Sequence, residues 1–167
     1  MSERTARLAA EFEAQVAEFE RLLQSLTPAQ LQLTALNTPG ERFMDADEAR
    51  PVNVVAYHVA SFMPRHLASS RARAAGQTPE AVDPDEINAE EASERADVTV
   101  EDAIERLRQE APPVLEFING LTDEQLDRSW ETSFGPFTLD KAIRMVQIGH
   151  LEQHRRAIEA TLADAER

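Results

Sequence analysis

The chain contains no cysteine. Disulfides, thiolate metal sites and a protein-borne sulfur nucleophile are therefore excluded, and any thiol chemistry would have to use a small-molecule thiol. Glycine is scarce at five residues, and there is one tyrosine. The Ala, Glu, Leu and Arg that dominate instead favour helix and leave little material for a sheet. Basic residues are also short, 17 against 31 acids, which gives a formal net charge of −14. A nucleic-acid backbone needs clustered Lys and Arg, so it is disfavoured as a partner, and so is an anionic membrane surface. The charge reads as a solubility device. No apolar run approaches the length of a membrane span. The opening MSERTARLAAEFEAQ is charged from residue 3 and lacks the apolar stretch of a signal peptide. The expectation is a cytoplasmic protein whose 167 residues form one domain, 1–167, with an adequate core.

What is present is helical periodicity. Leu8, Phe12, Val16, Phe19, Leu22, Leu23 and Leu26 fall at three- and four-residue spacings and predict a first helix from about Glu3 to Leu26. Thr27-Pro28-Ala29-Gln30 then restarts a short helix, with Thr as N-cap, Pro at the first position and Gln placed for a capping box. Pro51 opens a second long helix that should end at Gly76, its apolar side made by Val54, Val55, His58, Val59 and Phe62. Pro64 within it predicts a kink. Residues 77–98 carry eight acids and one Arg and read as a long surface connection. Thr99 and Asp102 form an approximate capping box for a third helix through Ile104, Leu107, Ala111, Val114, Leu115, Ile118 and Leu121, which Pro112-Pro113 should kink or interrupt. A fourth helix starts at Thr138 and runs to about Ala163, with Leu139, Ile143, Val146, Leu151 and Ile158 as its buried stripe.

An internal echo organises these segments. Leu26-Thr27-Pro28-Ala29-Gln30-Leu31 resembles Leu121-Thr122-Asp123-Glu124-Gln125-Leu126, and each follows an amphipathic helix and precedes a loop and a histidine-bearing helix. Thr27 to His58 is 31 residues and Thr122 to His154 is 32. The fold class is therefore all-α, a four-helix bundle of two pseudo-two-fold helix–loop–helix halves. That symmetry brings the second and fourth helices into comparable core positions.

His150 and His154, four residues apart, point the same way off one helix. On spacing alone two readings stand. Either His154 lies at the bundle edge while His150 bonds a backbone carbonyl, or the two share a metal, which gives buried imidazoles the partners they need. His58, on the apolar side of its own helix, supplies the third nitrogen that favours the metal. An all-nitrogen set suits zinc, nickel or ferrous iron and is poor for magnesium or calcium. Gln147 and Ser61 each lie one turn from a histidine and are candidates for the metal's surroundings or a pocket, or else ordinary buried polar groups. His66, eight residues after His58 and about 80° around an ideal helix, reads as a surface or rim residue. The segment Trp130–Phe137, WETSFGPF, reads as a loop that caps the core or lines a pocket mouth. Glu152 points away from the histidines, and Arg155-Arg156 reads as a solvated face. There is no glycine-rich phosphate loop, no GxSxG elbow and no Glu-x-x-His pair.

His58 within PVNVVAYHVA, the GHLEQH carrying His150 and His154, and the LTPAQL and LTDEQL segments together resemble the DinB-like four-helix bundles over nearly the whole chain. The resemblance implies a divalent metal, nickel or zinc or a similar ion, held by His58, His150 and His154 at one end of the bundle. It also implies relatives that use low-molecular-weight thiols such as mycothiol or bacillithiol, and bundle faces that permit a homodimer. The leading expectation is a metal-dependent enzyme, a thiol S-transferase or a hydrolase, acting on a small electrophile. The alternative is a non-catalytic metal- or ligand-binding bundle in stress response.

Overall fold

The computed structural model describes residues 2–36, 50–79, 98–132 and 135–167. Helix α1, Glu3–Ser25, is capped by the Ser2 side chain, which accepts the Thr5 amide. It buries Leu8, Ala9, Phe12, Phe19 and Leu23, while Val16, Leu22 and Leu26 pack partly buried against the same core. The short α2, Pro28–Leu31, carries the expected Thr27–Gln30 capping box. Helix α3, Val52–Ala74, starts one residue after Pro51 and runs unbroken through Pro64. It ends in a Schellman pattern: Gly76 at φ +75° lets Gln77 donate to the Ala72 carbonyl at 2.8 Å while its own amide donates to Arg73 at 2.9 Å. Helix α4, Val100–Gly120, has the Thr99–Asp102 capping box. It is not interrupted at Pro112-Pro113. The carbonyls those prolines leave without helical partners belong to Arg108 and Gln109, both exposed residues, so the helix tolerates the loss at its solvent side. The short α5, Asp123–Leu126, repeats the capping box with Thr122 and Gln125.

The expectation of an irregular loop before the last helix is corrected. Ser129–Thr132 (β1) and Gly135–Thr138 (β2) pair antiparallel, with Trp130 opposite Phe137 at 5.8 Å between ring centroids. Trp130, Thr132, Phe137 and Thr138 are β-formers, and a cross-strand aromatic pair is enough to hold so short a ribbon. Arg73 of α3 lies 4.4 Å over the Trp130 ring and joins the ribbon to the bundle. Phe134 lies outside the described residues, as do 80–97 of the expected acidic connection.

The first half makes a matching contact. Thr34 bridges Pro51, with Ala35 donating to Arg50 at 2.9 Å and Val52 to Leu33 at 3.0 Å. The pseudo-two-fold echo thus extends beyond the capping boxes to a strand pairing that delivers each half's second long helix.

From Leu139 the chain runs as α6, Leu139–Ala142, then a six-residue π-helical segment, Ile143–Ile148, then α7, Gly149–Ala165, with helical dihedrals at both junctions. Inter-helix contacts fix the directions. Arg4 meets Asp140 at 3.7 Å, Glu11 pairs with Arg144, and Glu18 meets Arg155 at 3.5 Å, so α1 runs parallel to the last helix. Ser2 donates to Asp123 beyond the end of α4, so α1 and α4 are antiparallel. Asn53 near the start of α3 donates to Val98 just before α4, and Ala74 at its end accepts from Gln125, so α3 and α4 are parallel. The bundle is therefore up–down–down–up. Each of α1 and α3 packs on α4 and α7, and the two consecutive pairs α1/α3 and α4/α7 face each other across diagonals. Leu8, Phe12, Phe19, Val59, Leu107, Ile118, Ile143, Leu151 and Ile158 fill the centre. Among the described residues no helix is long and apolar enough to cross a membrane.

Candidate metal centre

Antiparallel neighbours α3 and α7 bring His58, near the start of one, against His150 and His154 in the first two turns of the other. One ring nitrogen from each of His58, His150 and His154 lies within 4.8 Å of the others. Ring centroids are 5.4 Å apart for His58 with either partner and 4.5 Å for His150 with His154. The Nε2 atoms of His150 and His154 are 3.1 Å apart. Two ligands roughly 2.05 Å from one ion, at angles of about 90° to 110°, lie about 2.9 to 3.4 Å apart, so the pair fits a shared divalent ion. The same distance serves an N–H···N hydrogen bond in the metal-free protein.

The donors suit that use. His154 is buried, and burial first, then His58 and Arg50, pushes its imidazole down to about 3. Burial, then His154, His66 and His58, drives His150 well below its ordinary value. Neutral imidazole is the form that ligates metal.

Two sequence expectations are corrected here. His66 is not a rim residue: it is half-buried, and its ring lies edge-on to His150 at 5.4 Å and packs on Phe62 at 5.4 Å. Burial, then His58, lowers its imidazole to about 4, and a hydrogen bond to the Val146 backbone works in the opposite direction. Phe62 in turn stacks on His58 at 4.3 Å. The second correction concerns the stripe of the last helix, where Val146 is only half-buried and Gln147 and Ile148 take its place. Residues spaced by four drift about 40° per repeat on a 3.6-residue helix, and the wider π turn absorbs that drift for Leu139, Ile143, Gln147 and Leu151.

Gln147 is buried, with neither amide atom hydrogen-bonded. The Ser61 hydroxyl donates to the Tyr57 carbonyl at 2.9 Å, one turn back on its own helix. Glu152 pairs with Arg156 on the outer face, whereas Arg155, with a side chain 19 % exposed, sits between Glu159 and Glu18. Only Arg156 of that pair matches the solvated-face reading.

The π segment closes at Gly149, whose amide donates five residues back to the Arg144 carbonyl. A Cβ there would lie 3.0 Å from that carbonyl, whereas one on Gly120 would meet nothing. Gly120→Ala is expected to gain up to about 1 kcal/mol from helix propensity. Gly149→Ala should forfeit that gain to crowding and be at least about 1 kcal/mol less stable than Gly120→Ala in urea titrations. Equal stability of the two variants would remove the steric role of Gly149.

The depressed imidazoles also set a pH dependence. In the metal-free fold His154 and His66 take up protons only near 3 and 4, against a model-peptide value of 6.5 that applies to the unfolded chain. Between those limits the unfolded chain binds more protons, so this contribution is complete above pH 6.5 and declines as pH falls. With chelator present, calorimetry should show Tm falling from pH 7 to pH 5, and a shallower fall for a His66→Gln/His154→Gln double variant. Identical slopes for the two proteins would contradict the assignment.

No protein-family model and no curated protein matches the sequence. Solved structures do match in fold. YfiT from Bacillus subtilis, described as a probable metal-dependent hydrolase with an unusual four-helix bundle topology, superposes with a TM-score of 0.72 at 18% identity, over 99% of this chain and 90% of that one. An uncharacterized protein from Clostridium difficile 630 superposes with a TM-score of 0.63 at 12% identity, over 98% of each chain. The likeness is one of fold, and the four-helix bundle expected from the sequence is the architecture observed.

Proposed function

We propose that the protein is a metal-dependent hydrolase acting on a small electrophilic substrate, with His58, His150 and His154 holding one divalent ion. The observation that carries this reading is the convergence of three imidazole nitrogens, two of them 3.1 Å apart and both kept neutral by burial. The description of YfiT as a probable metal-dependent hydrolase supports it. Zinc, nickel and ferrous iron match an all-imidazole donor set. Bound there, such an ion would supply Lewis acidity and make water nucleophilic near neutral pH.

The chain's own residues have separate tasks. His154 is the buried member of the three, while His58 and His150 are half-buried. Phe62, packed on His58 at 4.3 Å and on His150 at 5.8 Å, is the apolar wall that limits water around the donors. Among the described residues three imidazoles converge, and a three-ligand set would leave a coordination position for substrate or water, the arrangement of catalytic rather than structural zinc sites.

A second reading, transfer of sulfur to a small electrophile, would need its sulfur from outside the chain. The chain has no cysteine, so a reaction at this centre that forms a carbon–sulfur bond would draw on a low-molecular-weight thiol. Tag-free protein purified without chelator and supplemented with zinc, nickel or ferrous iron should retain about one ion per chain. It should then hydrolyse an activated ester such as p-nitrophenyl acetate faster than His150→Ala does. Turnover of an electrophile only when a thiol is added would favour S-transfer instead. Equal turnover by wild type and His150→Ala would leave a non-catalytic bundle, and no retained ion would end both metal readings.

A further inference from the structure

His66 stands outside the three-histidine group yet is bound into it from two directions. Its ring meets His150 edge-on at 5.4 Å with an interplanar angle of 77°. The same ring is within hydrogen-bonding reach of the Val146 backbone, where a carbonyl accepts an imidazole N–H. Val146 belongs to the π segment Ile143–Ile148, which leads through Gly149 directly into His150. Because α3 runs antiparallel to the last helix, the two helices meet at two levels. At one, His58 faces His150 and His154; two turns further along α3, His66 lies against the π turn.

The phase of that turn decides where the ligands point. Adding or removing one residue from a helical turn rotates everything beyond it by about 100°. If the π segment relaxed to regular α-helix, either Leu139 and Ile143 would leave the core or His150 and His154 would swing away from His58. The crowding at Gly149 shows how tightly the turn is closed from within its own helix. His66 abuts it from the neighbouring helix.

We infer that His66 is a positioning residue of the metal centre, which fixes the π turn through the Val146 carbonyl and the His150 ring by edge contact. The inference rests on the metal reading and deepens it. The test compares His66→Phe, which keeps an aromatic ring against His150 and Phe62 but has no N–H, with His66→Gln, which keeps a donor for the carbonyl. Zinc affinity is measured by competition, the coordination geometry from the visible spectrum of the cobalt(II)-loaded protein, and metal-free stability by calorimetry.

His66→Phe is expected to weaken zinc binding by about ten- to a hundredfold, the usual cost of losing a group that orients a metal ligand. It should also alter the cobalt band pattern with little change in metal-free Tm. His66→Gln should recover most of the affinity and the wild-type spectrum. Wild-type affinity and spectrum in His66→Phe would overturn the inference alone. A lowered metal-free Tm with an unchanged cobalt spectrum would also overturn it, because that result describes packing only. A wild type that takes up neither zinc nor cobalt would overturn the proposed function and this inference together.

Discussion

Replacing His154 with alanine is expected to abolish retention of a divalent ion while leaving the bundle folded. His154 is 3 % exposed, and its Nε2 lies 3.1 Å from that of His150. Its loss removes one of three converging imidazoles, and water can replace it only by entering the buried position it occupies. Groups that merely orient ligands are worth tenfold to a hundredfold in affinity, so deletion of a ligand should cost more than about a hundredfold. The metal-free protein should fare differently, because a buried imidazole held far below its ordinary protonation range is a poor source of stability. Titration calorimetry with zinc and elemental analysis measure the first effect, and circular dichroism the second. His58→Ala should behave alike, and the double variant should lose little beyond either single one, since the donors act as a unit. Zinc affinity within threefold of wild type in His154→Ala would remove it from the centre.

Phe19→Ala is expected to show the largest loss of stability, about 3 to 5 kcal/mol. The ring is fully buried on the inner stripe of α1, between Phe12 and Leu23 in a packed core with no room to collapse cheaply. Against a typical total of about 5 to 15 kcal/mol, that loss leaves a marginal fold. Urea titration of the metal-free variant reads it directly. Since the three histidines lie on α3 and α7, zinc bound at the proposed centre should at saturation restore part of the midpoint through binding to the folded state alone. A midpoint shift corresponding to less than about 1 kcal/mol would mean that the core repacks around the missing ring.

The parts of this molecule governed by local rules were legible in the sequence. The capping boxes at Thr27 and Thr99 form as written, because a side chain three residues away satisfies each of them, and the LTDEQL echo of LTPAQL carries a third at Thr122. The histidine triad was found by combining the i, i+4 spacing with His58 on an apolar helical face, and the structure brings those three together. His66 was misplaced because helical arithmetic describes one helix at a time. An 80° offset from His58 says nothing of which helix lies on that side, and here it is the π segment and His150. The π turn left a trace in the four-residue repeat of Leu139, Ile143, Gln147 and Leu151, but a polar Gln in that series made Val146 the more natural choice.

The near-equal counts from Thr27 to His58 and from Thr122 to His154 were right for a reason the sequence conceals. His58 comes seven residues after Pro51, whereas His154 comes sixteen after Thr138, and the longer loop of the first half compensates for the difference. The two halves are symmetric in their turns and asymmetric in where they place their histidines.

The up–down–down–up arrangement also bears on how the chain reaches its native state. In a simple up-and-down bundle each helix can zip against the next through a short loop. Here the consecutive long helices α1 and α3, and α4 and α7, end diagonally opposed, so among the described residues neither pair forms a local helical hairpin. Long-range loops must close before most of the interhelical surface is buried, which raises contact order and slows folding relative to helical proteins rich in local contacts. His58 and His150 are 92 residues apart in the chain. An ion held between them could therefore bind only after both halves had docked, and its capture would time the last stage of assembly.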